Sequence, residues 1–256
     1  MINTPHTPKE LLCEQHLQKG SRPKVLVVGV YLVDKENLAP QITRELAGSS
    51  DWEVEQRWIA LGNGQPDSDT ARFTVQVTDT PSPKFLLLNQ LLKAVNLHDF
   101  EYLIVSDDDI QLPPGFLDRY LALISRYGFA VAQPARTHDS YIDHWFVEQL
   151  DGIDARQTRF VEIGPLFSLH RSAFDYFLPF DETSPMGWGN DFVWPVLVEK
   201  NNLRMGIGDA VPVAHNLRHP VAYYDYEISK NDMNKYLAER PHLSKEDAFF
   251  ILESYV

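Results

Sequence analysis

Apolar and polar positions alternate along the chain in blocks that predict strands and helices in turn. Residues 24–31 (KVLVVGVY) form a short, continuous run rich in β-branched side chains, which is typical of a strand buried on both faces of a parallel sheet. Residues 53–61, 102–105 and 129–132 have the pattern of further strands. We therefore expect a sheet built from several short apolar strands.

Predicted helices separate these strands. Residues 37–47 can form a helix, and between residues 85 and 95 the apolar side chains recur at helical spacing. Pro113 and Pro114 suit the first turn of a helix that runs to about Arg126. Alternating strands and helices favour an α/β fold: one domain with a mostly parallel central sheet and helices on both faces.

The same pattern divides the chain into three parts. Residues 1–22 are a polar leader that can form a helix, residues 23–226 hold the main domain, and residues 227–256 are expected to be a helical extension packed on that domain. In the extension, Ser244 and Asp247 form a capping box before a short predicted helix that carries residues 249–252. Residues 136–160 are polar and irregular, and because loops of that length are often functional, we expect a loop or lid there.

Composition excludes several classes of protein. The chain has 256 residues, of which 44% are hydrophobic and 23% charged, so a folded core is expected. Acidic residues outnumber basic ones 36 to 23, and the net charge of -13 argues against a nucleic-acid partner. No apolar run reaches the roughly 18 residues of a transmembrane segment, and the start of the chain lacks the features of a signal peptide, so we expect a cytoplasmic protein.

Cysteine usage limits the metal chemistry. Cys13 is the single cysteine, so the chain can form no internal disulfide and no cysteine-based metal cluster. Any metal must be held by Asp, Glu or His.

Three consecutive aspartates, Asp107, Asp108 and Asp109, directly follow the apolar strand at 102–105. Adjacent carboxylates repel one another, so they are tolerated best when they are solvated or when a cation neutralises them. Carboxylate oxygens suit Mg2+ or Mn2+, which commonly bridge protein carboxylates and substrate phosphates. The alternative is a solvated acidic loop, but the position at a strand end favours function.

A second motif, residues 186–191 (MGWGND), precedes an apolar helix-like segment. Gly187 and Gly189 permit tight backbone geometry around Trp188 and leave its aromatic face accessible to a sugar ring. Asp191 falls in the first helical turn, where the helix dipole favours the ionised carboxylate that a general base requires. The alternative makes Asn190 or Asp191 a helix cap and Trp188 a core residue.

Histidines supply the remaining candidate ligands. His215 ends the short apolar stretch 211–215 and is a metal ligand only if it faces the aspartates; otherwise it has a structural role. A second possible metal site groups four residues of the predicted loop, but no regular element fixes their spacing: His138, Asp139, Asp143 and His144.

Taken together, these motifs resemble the GT-A glycosyltransferases, which carry an Asp-x-Asp metal motif after an inner strand. A closer resemblance is to a plant-rich family of uncharacterised glycosyltransferase-like proteins. Its six elements occur here in the same order between residues 24 and 225: Val28-Gly29, Asp107-Asp108-Asp109, Gln133-Pro134-Ala135, residues 161–173 (VEIGPLFSLHRSA), Gly187-Trp188-Gly189-Asn190-Asp191, and His215. The GWG-x-D element is also similar to the WGG-E-D region of the β-1,4-galactosyltransferases.

The resemblance implies a metal-dependent, inverting glycosyltransferase that moves a sugar from a nucleotide-diphosphate sugar, with UDP as the nucleotide, to an acceptor hydroxyl. The acceptor would be a carbohydrate or glycoconjugate, and the cofactor Mn2+ or Mg2+. By this resemblance Asp109 and His215 hold the metal, and Asp107 reaches the metal or the ribose. Asp191 is the base. The remaining expected positions are the donor nucleotide contacts Gly29, Val30, Tyr31, Lys84, Asn89, Asp107 and Asp108, and the sugar-binding positions Glu162, Gly187, Trp188 and Gly189.

Two other functions are compatible with parts of this pattern. A nucleotidyl- or phosphotransferase could use the aspartates for metal and nucleotide, although the sequence has no P-loop. A catalytically inactive carbohydrate or nucleotide-sugar binding module would keep the ligand contacts without transfer. Nucleotide diphosphates with Mn2+ should stabilise both an enzyme and a binding module, whereas only an enzyme releases UDP.

Overall fold

The structure is a computed structural model that describes residues 21–218 and 225–256, so most of the predicted leader, including Cys13, lies outside the described residues. The strands are β1 Lys24–Leu32, β2 Glu53–Leu61, β3 Thr74–Thr78, β4 Tyr102–Ser106, β5 Val131–Arg136, β6 Ala155–Thr158, β7 Leu166–His170, β8 Met205–Val213 and β9 Ile251–Tyr255. The helices are α1 Ala39–Ala47, α2 Ser68–Ala71, α3 Lys84–Leu92, α4 Phe116–Arg126, α5 Phe174–Phe177, α6 Asn190–Lys200, α7 Tyr226–Ala238 and α8 Lys245–Ala248. Among these described helices, none combines the length and the apolar character needed to cross a bilayer.

All the described strands belong to one sheet with the order β3-β2-β1-β4-β7-β5-β8-β6-β9. The pairs β1/β2, β1/β4, β2/β3 and β5/β8 are parallel. Strand β7 lies antiparallel between β4 and β5, and β6 lies antiparallel between β8 and β9. All strands except β6 and β7 therefore run in one direction, which confirms the predicted α/β class.

Helices cover both faces of the sheet, as predicted. Because side chains alternate along a strand, Val25 and Val27 of β1 pack in the core cluster under α1 and α4, whereas Leu26 and Val28 pack in the cluster under α3 and α6. The central strands β1 and β4 are almost entirely buried, which explains their continuous apolar sequence. Their ends are therefore fixed rigidly in place.

The sequence pattern did not predict the short strands β6 and β7. Strand β6 lies inside the segment 136–160 that we predicted as a loop or lid, and β7 interrupts the parallel order. Each has only four or five residues, too few for a periodic pattern, and each is stabilised by backbone hydrogen bonds to both neighbours. Tertiary pairing, rather than local sequence, selects these strands.

The predicted C-terminal helix ends earlier than expected. Ser244 caps α8 by accepting a hydrogen bond from the backbone of Asp247, as the sequence indicated, but α8 stops at Ala248. Residues Ile251–Tyr255 form the edge strand β9 on β6, so the prediction that the helix carries residues 249–252 is wrong. On the side away from β8, strand β6 offers backbone hydrogen-bonding groups that β9 pairs with. The ring of Tyr255 also stacks on that of Tyr127, with centroids 4.2 Å apart.

Candidate active site

The candidate site lies where several parallel strands end at one edge of the sheet. Strand β4 leads directly into the three aspartates, and β8 leads into His215. A bridge between Gln111 and Ala214 holds these two exits together. Because the carboxyl ends of parallel strands share an edge, residues far apart in sequence meet here.

Asp108 is turned into the protein. Its carboxylate is 4% exposed, accepts a hydrogen bond from the backbone of Leu32 at 2.7 Å, and forms an ion pair with Arg218. Burial raises the pKa of Asp108 to about 6, although the Leu32 N–H group and Arg218 act in the opposite direction. Asp108 thus ties the end of β1 to Arg218, which differs from the nucleotide contact that the resemblance implied.

Asp109 and His215 come together, as the sequence interpretation required. Oδ1 of Asp109 lies 3.3 Å from Nε2 of His215, and Arg218 donates a hydrogen bond to Oδ2 of Asp109 at 3.1 Å. Burial by itself would raise the pKa of Asp109, but the interactions with His215 and Arg218 outweigh it and lower the pKa to about 2. Oδ1 is buried and receives no hydrogen bond of acceptable geometry from the described residues.

Asp107 pairs with Lys84 rather than with Arg218 or His215. Its Oδ1 lies 2.5 Å from Nζ of Lys84, the first residue of α3, and its backbone N–H donates to the carbonyl oxygen of Pro165 at 2.7 Å. Lys84 was predicted on this side of the sheet, and the structure places it against the aspartates. The carboxylate of Asp107 is half-buried and paired with this ammonium group.

The donor set suits a metal ion held by few protein ligands. In residues 21–218 and 225–256, no group of three His, Cys, Asp or Glu side chains is arranged to hold a metal. Asp109 and His215 nevertheless offer an unpartnered carboxylate oxygen and an imidazole nitrogen side by side. Mg2+ and Mn2+ are often bound by one or two such ligands together with substrate phosphates and water, so these two residues fit that kind of site.

The predicted nucleotide positions at the end of β1 are mostly core positions. Tyr31 is 2% exposed, and its hydroxyl group hydrogen bonds with Thr74 at 2.8 Å. A Cβ atom on Gly29 would lie 2.2 Å from the ring of Trp58, so glycine is needed here for close packing. Val30 packs partly buried against the cluster that contains α3. Gly29 is therefore buried by packing, and the side chain of Tyr31 presents no free surface to a nucleotide base.

Asn89 is also engaged inside the protein. Its amide donates to the carbonyl oxygen of Phe180 at 2.8 Å and to Glu182 at 3.0 Å, and its Oδ1 accepts from the backbone of Phe180. Asn89 is 2% exposed. It holds the 180–182 segment against α3, which differs from the nucleotide contact that was predicted.

The GWG-x-D motif forms a tight turn at the start of α6. Gly187 has a φ of +83°, and a Cβ atom there would lie 2.2 Å from the ring of Phe85, so both conformation and space require glycine. Gly189, with a left-handed conformation, is the N-cap of α6. Trp188 is half-buried between them, and its ring meets that of Tyr226 edge-on at 5.3 Å.

Asp191 lies in the first turn of α6, as predicted, and the structure shows that it is buried there. It is 7% exposed, and its Oδ1 has no hydrogen-bond partner among the described residues. Burial raises the pKa of Asp191 to about 7; the charge of His144 lowers it, and the charge of Glu162 raises it further. A carboxyl group with this pKa can both accept and release a proton near neutrality.

Glu162, whose charge acts on Asp191, also interacts with His144 and Arg136, and the sequence did not predict these interactions. Its Oε1 lies 2.8 Å from Nδ1 of His144, and its Oε2 lies 3.7 Å from the guanidinium group of Arg136. Arg136 is 1% exposed and donates to the carbonyl oxygen of Gly164 at 2.7 Å. The sequence contained one sign of this network: Arg136 ends a strand and directly follows the Gln-Pro-Ala element.

The proposed second metal group does not assemble. His138 pairs with Glu148 at 2.7 Å, and Asp139 accepts a hydrogen bond from Asn216 at 2.8 Å, whereas His144 turns toward Glu162. Within the ranges that the structure describes, these residues form no metal cluster.

Comparisons with known proteins place this geometry in a fold class. No family model and no curated protein matches the sequence. Among solved structures, GalNAc-T7 with UDP, GalNAc and Mn2+ superimposes with a TM-score of 0.53 and 10% identity, covering 83% of this chain and 47% of that chain. S. aureus TarS 1–349 in complex with UDP-GlcNAc superimposes with a TM-score of 0.55 and 14% identity, covering 85% of this chain and 66% of that chain.

These two structures are GT-A glycosyltransferases, so the chain has the GT-A fold, as the resemblance of its motifs implied. The chain spans less than two thirds of the length of either solved chain. At this level of identity the likeness concerns the fold.

Proposed function

We propose that the protein is a metal-dependent, inverting glycosyltransferase that transfers a sugar from a UDP-sugar to a hydroxyl group of a carbohydrate or glycoconjugate. One observation carries the proposal: in a GT-A fold, Asp109 and His215 lie side by side at the strand ends, and Arg136 links this edge to the surroundings of the buried carboxylate Asp191. Arg136 donates to Gly164, which lies beside Asp107, and pairs with Glu162, whose charge acts on Asp191. The two solved relatives bind UDP or UDP-GlcNAc, and one of them also binds Mn2+.

Asp109 and His215 would hold the metal ion. A divalent cation bound there would neutralise negative charge on the departing nucleoside diphosphate. Oδ1 of Asp109 supports this assignment, because it is buried next to His215 without a hydrogen bond of acceptable geometry, and such an oxygen is costly unless a ligand satisfies it. Asp107 remains a candidate for a contact with the metal or the ribose.

Basic side chains at the same edge complement an anionic donor. Arg218 is 15% exposed and bridges Asp108 and Asp109, and Lys84 is 17% exposed and pairs with Asp107. Such cations can exchange a protein carboxylate for a phosphate oxygen when the donor binds. They give a strongly acidic protein a local site for a diphosphate.

Asp191 would act as the general base. In the proposed step, the acceptor oxygen attacks the anomeric carbon while its proton passes to the Asp191 carboxylate. The bond from the anomeric carbon to the diphosphate oxygen breaks, and the electron pair leaves with UDP. A single displacement of this kind inverts the configuration at the anomeric carbon. Glu162 and Trp188 would line the sugar pocket, with Gly187 and Gly189 holding the indole in place.

A second candidate function is nucleotide-sugar binding without transfer. The observation that favours it is that Asp107, Asp108 and Asp109 are all paired with protein cations and that the described residues contain no three-ligand metal cluster. Release of UDP separates the two functions, because only an enzyme produces it.

The test combines binding and turnover in one set of variants. Melting temperature is measured with a panel of UDP-sugars with and without Mn2+, and UDP release is measured with candidate acceptors. Asp109→Asn should abolish the Mn2+-dependent stabilisation and reduce turnover by at least ~100-fold, because the position loses a charged metal ligand. Asp151→Asn, at a side chain that is 84% exposed, is the matched control and should behave like the wild type.

Two results would contradict the proposal. The first is turnover that persists at the wild-type rate with EDTA present, and the second is stabilisation by UDP-sugars that is equal in Asp109→Asn and wild type. Stabilisation without any UDP release would support the binding module instead.

A further inference from the structure

The proposed reaction gives no role to His144, although this residue contacts a group that the reaction uses. Nδ1 of His144 lies 2.8 Å from Oε1 of Glu162, and the two side chains are 24% and 13% exposed. In residues 21–218 and 225–256, Nε2 of His144 has no hydrogen-bond partner. The imidazole is therefore anchored on one nitrogen only.

Three phenylalanine rings fix the orientation of this imidazole. They come from separate segments of the chain, and their centroids lie 5.2, 6.4 and 5.6 Å from that of His144, for Phe160, Phe192 and Phe249 respectively. Phe192 directly follows Asp191 in α6, so one of the three rings that contact the imidazole belongs to the same helix as the proposed base. The ring has a defined place next to the start of α6.

Four charged side chains from separate parts of the chain lie around His144. Glu162 and Asp191 are negative, Lys245 of α8 is positive, and Arg136 of β5 lies on the far side of Glu162. The imidazole thus contacts Glu162 directly, and the charge of Asp191 also acts on it. A protonated His144 offsets the negative charge of Glu162 and so favours the ionised form of Asp191.

We propose that His144 is a positioning residue of the transfer site: its imidazolium, anchored by Glu162, keeps the neighbouring Asp191 carboxylate ionised so that it can accept the proton of the acceptor hydroxyl. This inference rests on the proposed function of Asp191. Oδ1 of Asp191 is buried and has no hydrogen-bond partner among the described residues, so the protein leaves its capacity to accept a hydrogen bond unused.

The direction of the pKa shifts agrees with this arrangement. Burial raises the pKa of Asp191 to about 7, and among the charges His144 lowers it while Glu162 raises it. Burial alone would lower the pKa of His144, but the hydrogen bond and charge of Glu162 and the charge of Asp191 outweigh it and raise the pKa. Removing the imidazole removes a positive charge that lowers the pKa of Asp191, so this pKa rises.

The first test is the pH dependence of kcat/KM in His144→Gln. The acidic limb should move upward by about one pH unit, so activity falls about fivefold at pH 7 and recovers in alkaline solution. His138→Gln is the matched control, because His138 belongs to the same region and also pairs with a glutamate, Glu148, at 2.7 Å. Its profile should match that of the wild type. A loss that is uniform across the pH range would indicate a merely structural role and overturn the proposal.

The second test does not depend on activity. The ring of His144 is titrated by NMR in the wild type, in Asp191→Asn and in Glu162→Gln, and its midpoint should fall in both variants because each loses a neighbouring negative charge. An unchanged midpoint in Asp191→Asn would overturn the proposal, whatever the result in Glu162→Gln and even if His144→Gln does not fold. If the wild type releases no UDP with any donor, the proposed function fails, and the titration alone decides whether His144 controls Asp191.

Discussion

At the scale of single residues, Asp191 shows how burial changes the chemistry of a carboxyl group. The sequence placed it in the first turn of a helix, where the dipole favours the ionised form. In the structure, loss of solvent dominates, and the pKa rises to about 7. Because an unfolded aspartate ionises near pH 4, the folded protein binds one more proton than the unfolded chain between about pH 4 and pH 7.

This difference predicts a pH-dependent gain of stability in Asp191→Asn. The wild type loses stability as the pH rises through this window, since the unfolded state releases the proton first; the asparagine variant has no such loss. The free energy of unfolding of the variant relative to the wild type should therefore increase between pH 4 and pH 8, by on the order of 2 to 4 kcal/mol.

Chemical denaturation at several pH values checks this prediction. The exposed Asp175, in the first turn of α5, provides the control Asp175→Asn, whose stability relative to the wild type should vary little with pH. If the difference between Asp191→Asn and wild type stays constant from pH 4 to pH 8, the Asp191 carboxyl does not titrate as described.

At the scale of elements, one buried ion pair joins two strands to the segment that directly follows His144 and Trp145. Arg156 of β6 contacts both carboxylate oxygens of Asp209 in β8, at 2.9 and 3.0 Å. Arg156 also donates to the carbonyl oxygens of Phe146 and Glu148, and Asp209 accepts from the backbone of Leu150. The pair therefore fixes the 146–150 segment to the sheet.

Arg156→Met should destabilise the fold strongly, because it leaves Asp209 buried without its partner. Loss of one member of a buried pair costs about 3 kcal/mol or more, which corresponds to a fall in melting temperature of roughly 6 to 12 °C for a chain of this size. The control is Arg159→Met, which removes an exposed pair with Glu199 and should cost less than about 1 kcal/mol. Equal melting temperatures for the two variants would contradict this account.

At the scale of the whole molecule, a strongly acidic chain brings three basic side chains together at one edge of the sheet. The net charge is -13, yet Lys84, Arg136 and Arg218 converge on the candidate site. A small diphosphate can reach these groups. A long polyanion would also meet the rest of the molecule, whose net negative charge repels it.

Labelled DNA should accordingly show no binding in fluorescence polarisation at low ionic strength. Basic proteins bind DNA non-specifically with dissociation constants of about 10⁻⁴ to 10⁻⁶ M, and this affinity increases as salt is lowered. Titration with protein up to ~10⁻⁴ M covers that range. Polarisation that rises with protein and decreases with added salt would show a basic surface that this charge distribution does not contain.

The sequence by itself determined the α/β class, most of the long strands and helices, and the residues at strand ends. These features depend on local information: continuous apolar runs, helical spacing and chain order. The aspartates after β4 and His215 after β8 could be found as candidates in this way, because a parallel sheet brings its strand ends to one edge. Asp191 was a candidate through its place in the first turn of a helix, and the roles of His215 and Asp191 came from the family resemblance.

Only the tertiary structure decided which side chain contacts which. Asp108 points inward whereas Asp109 faces His215, and Asn89 and Tyr31 are held inside by partners about 90 and 43 positions away along the chain. The strands β6, β7 and β9 form because neighbouring strands offer backbone partners to segments too short to specify their own structure. The network of Arg136, Glu162, His144 and Asp191 joins four separate segments, so its charges and pKa shifts depend on burial and distance, which no local pattern encodes.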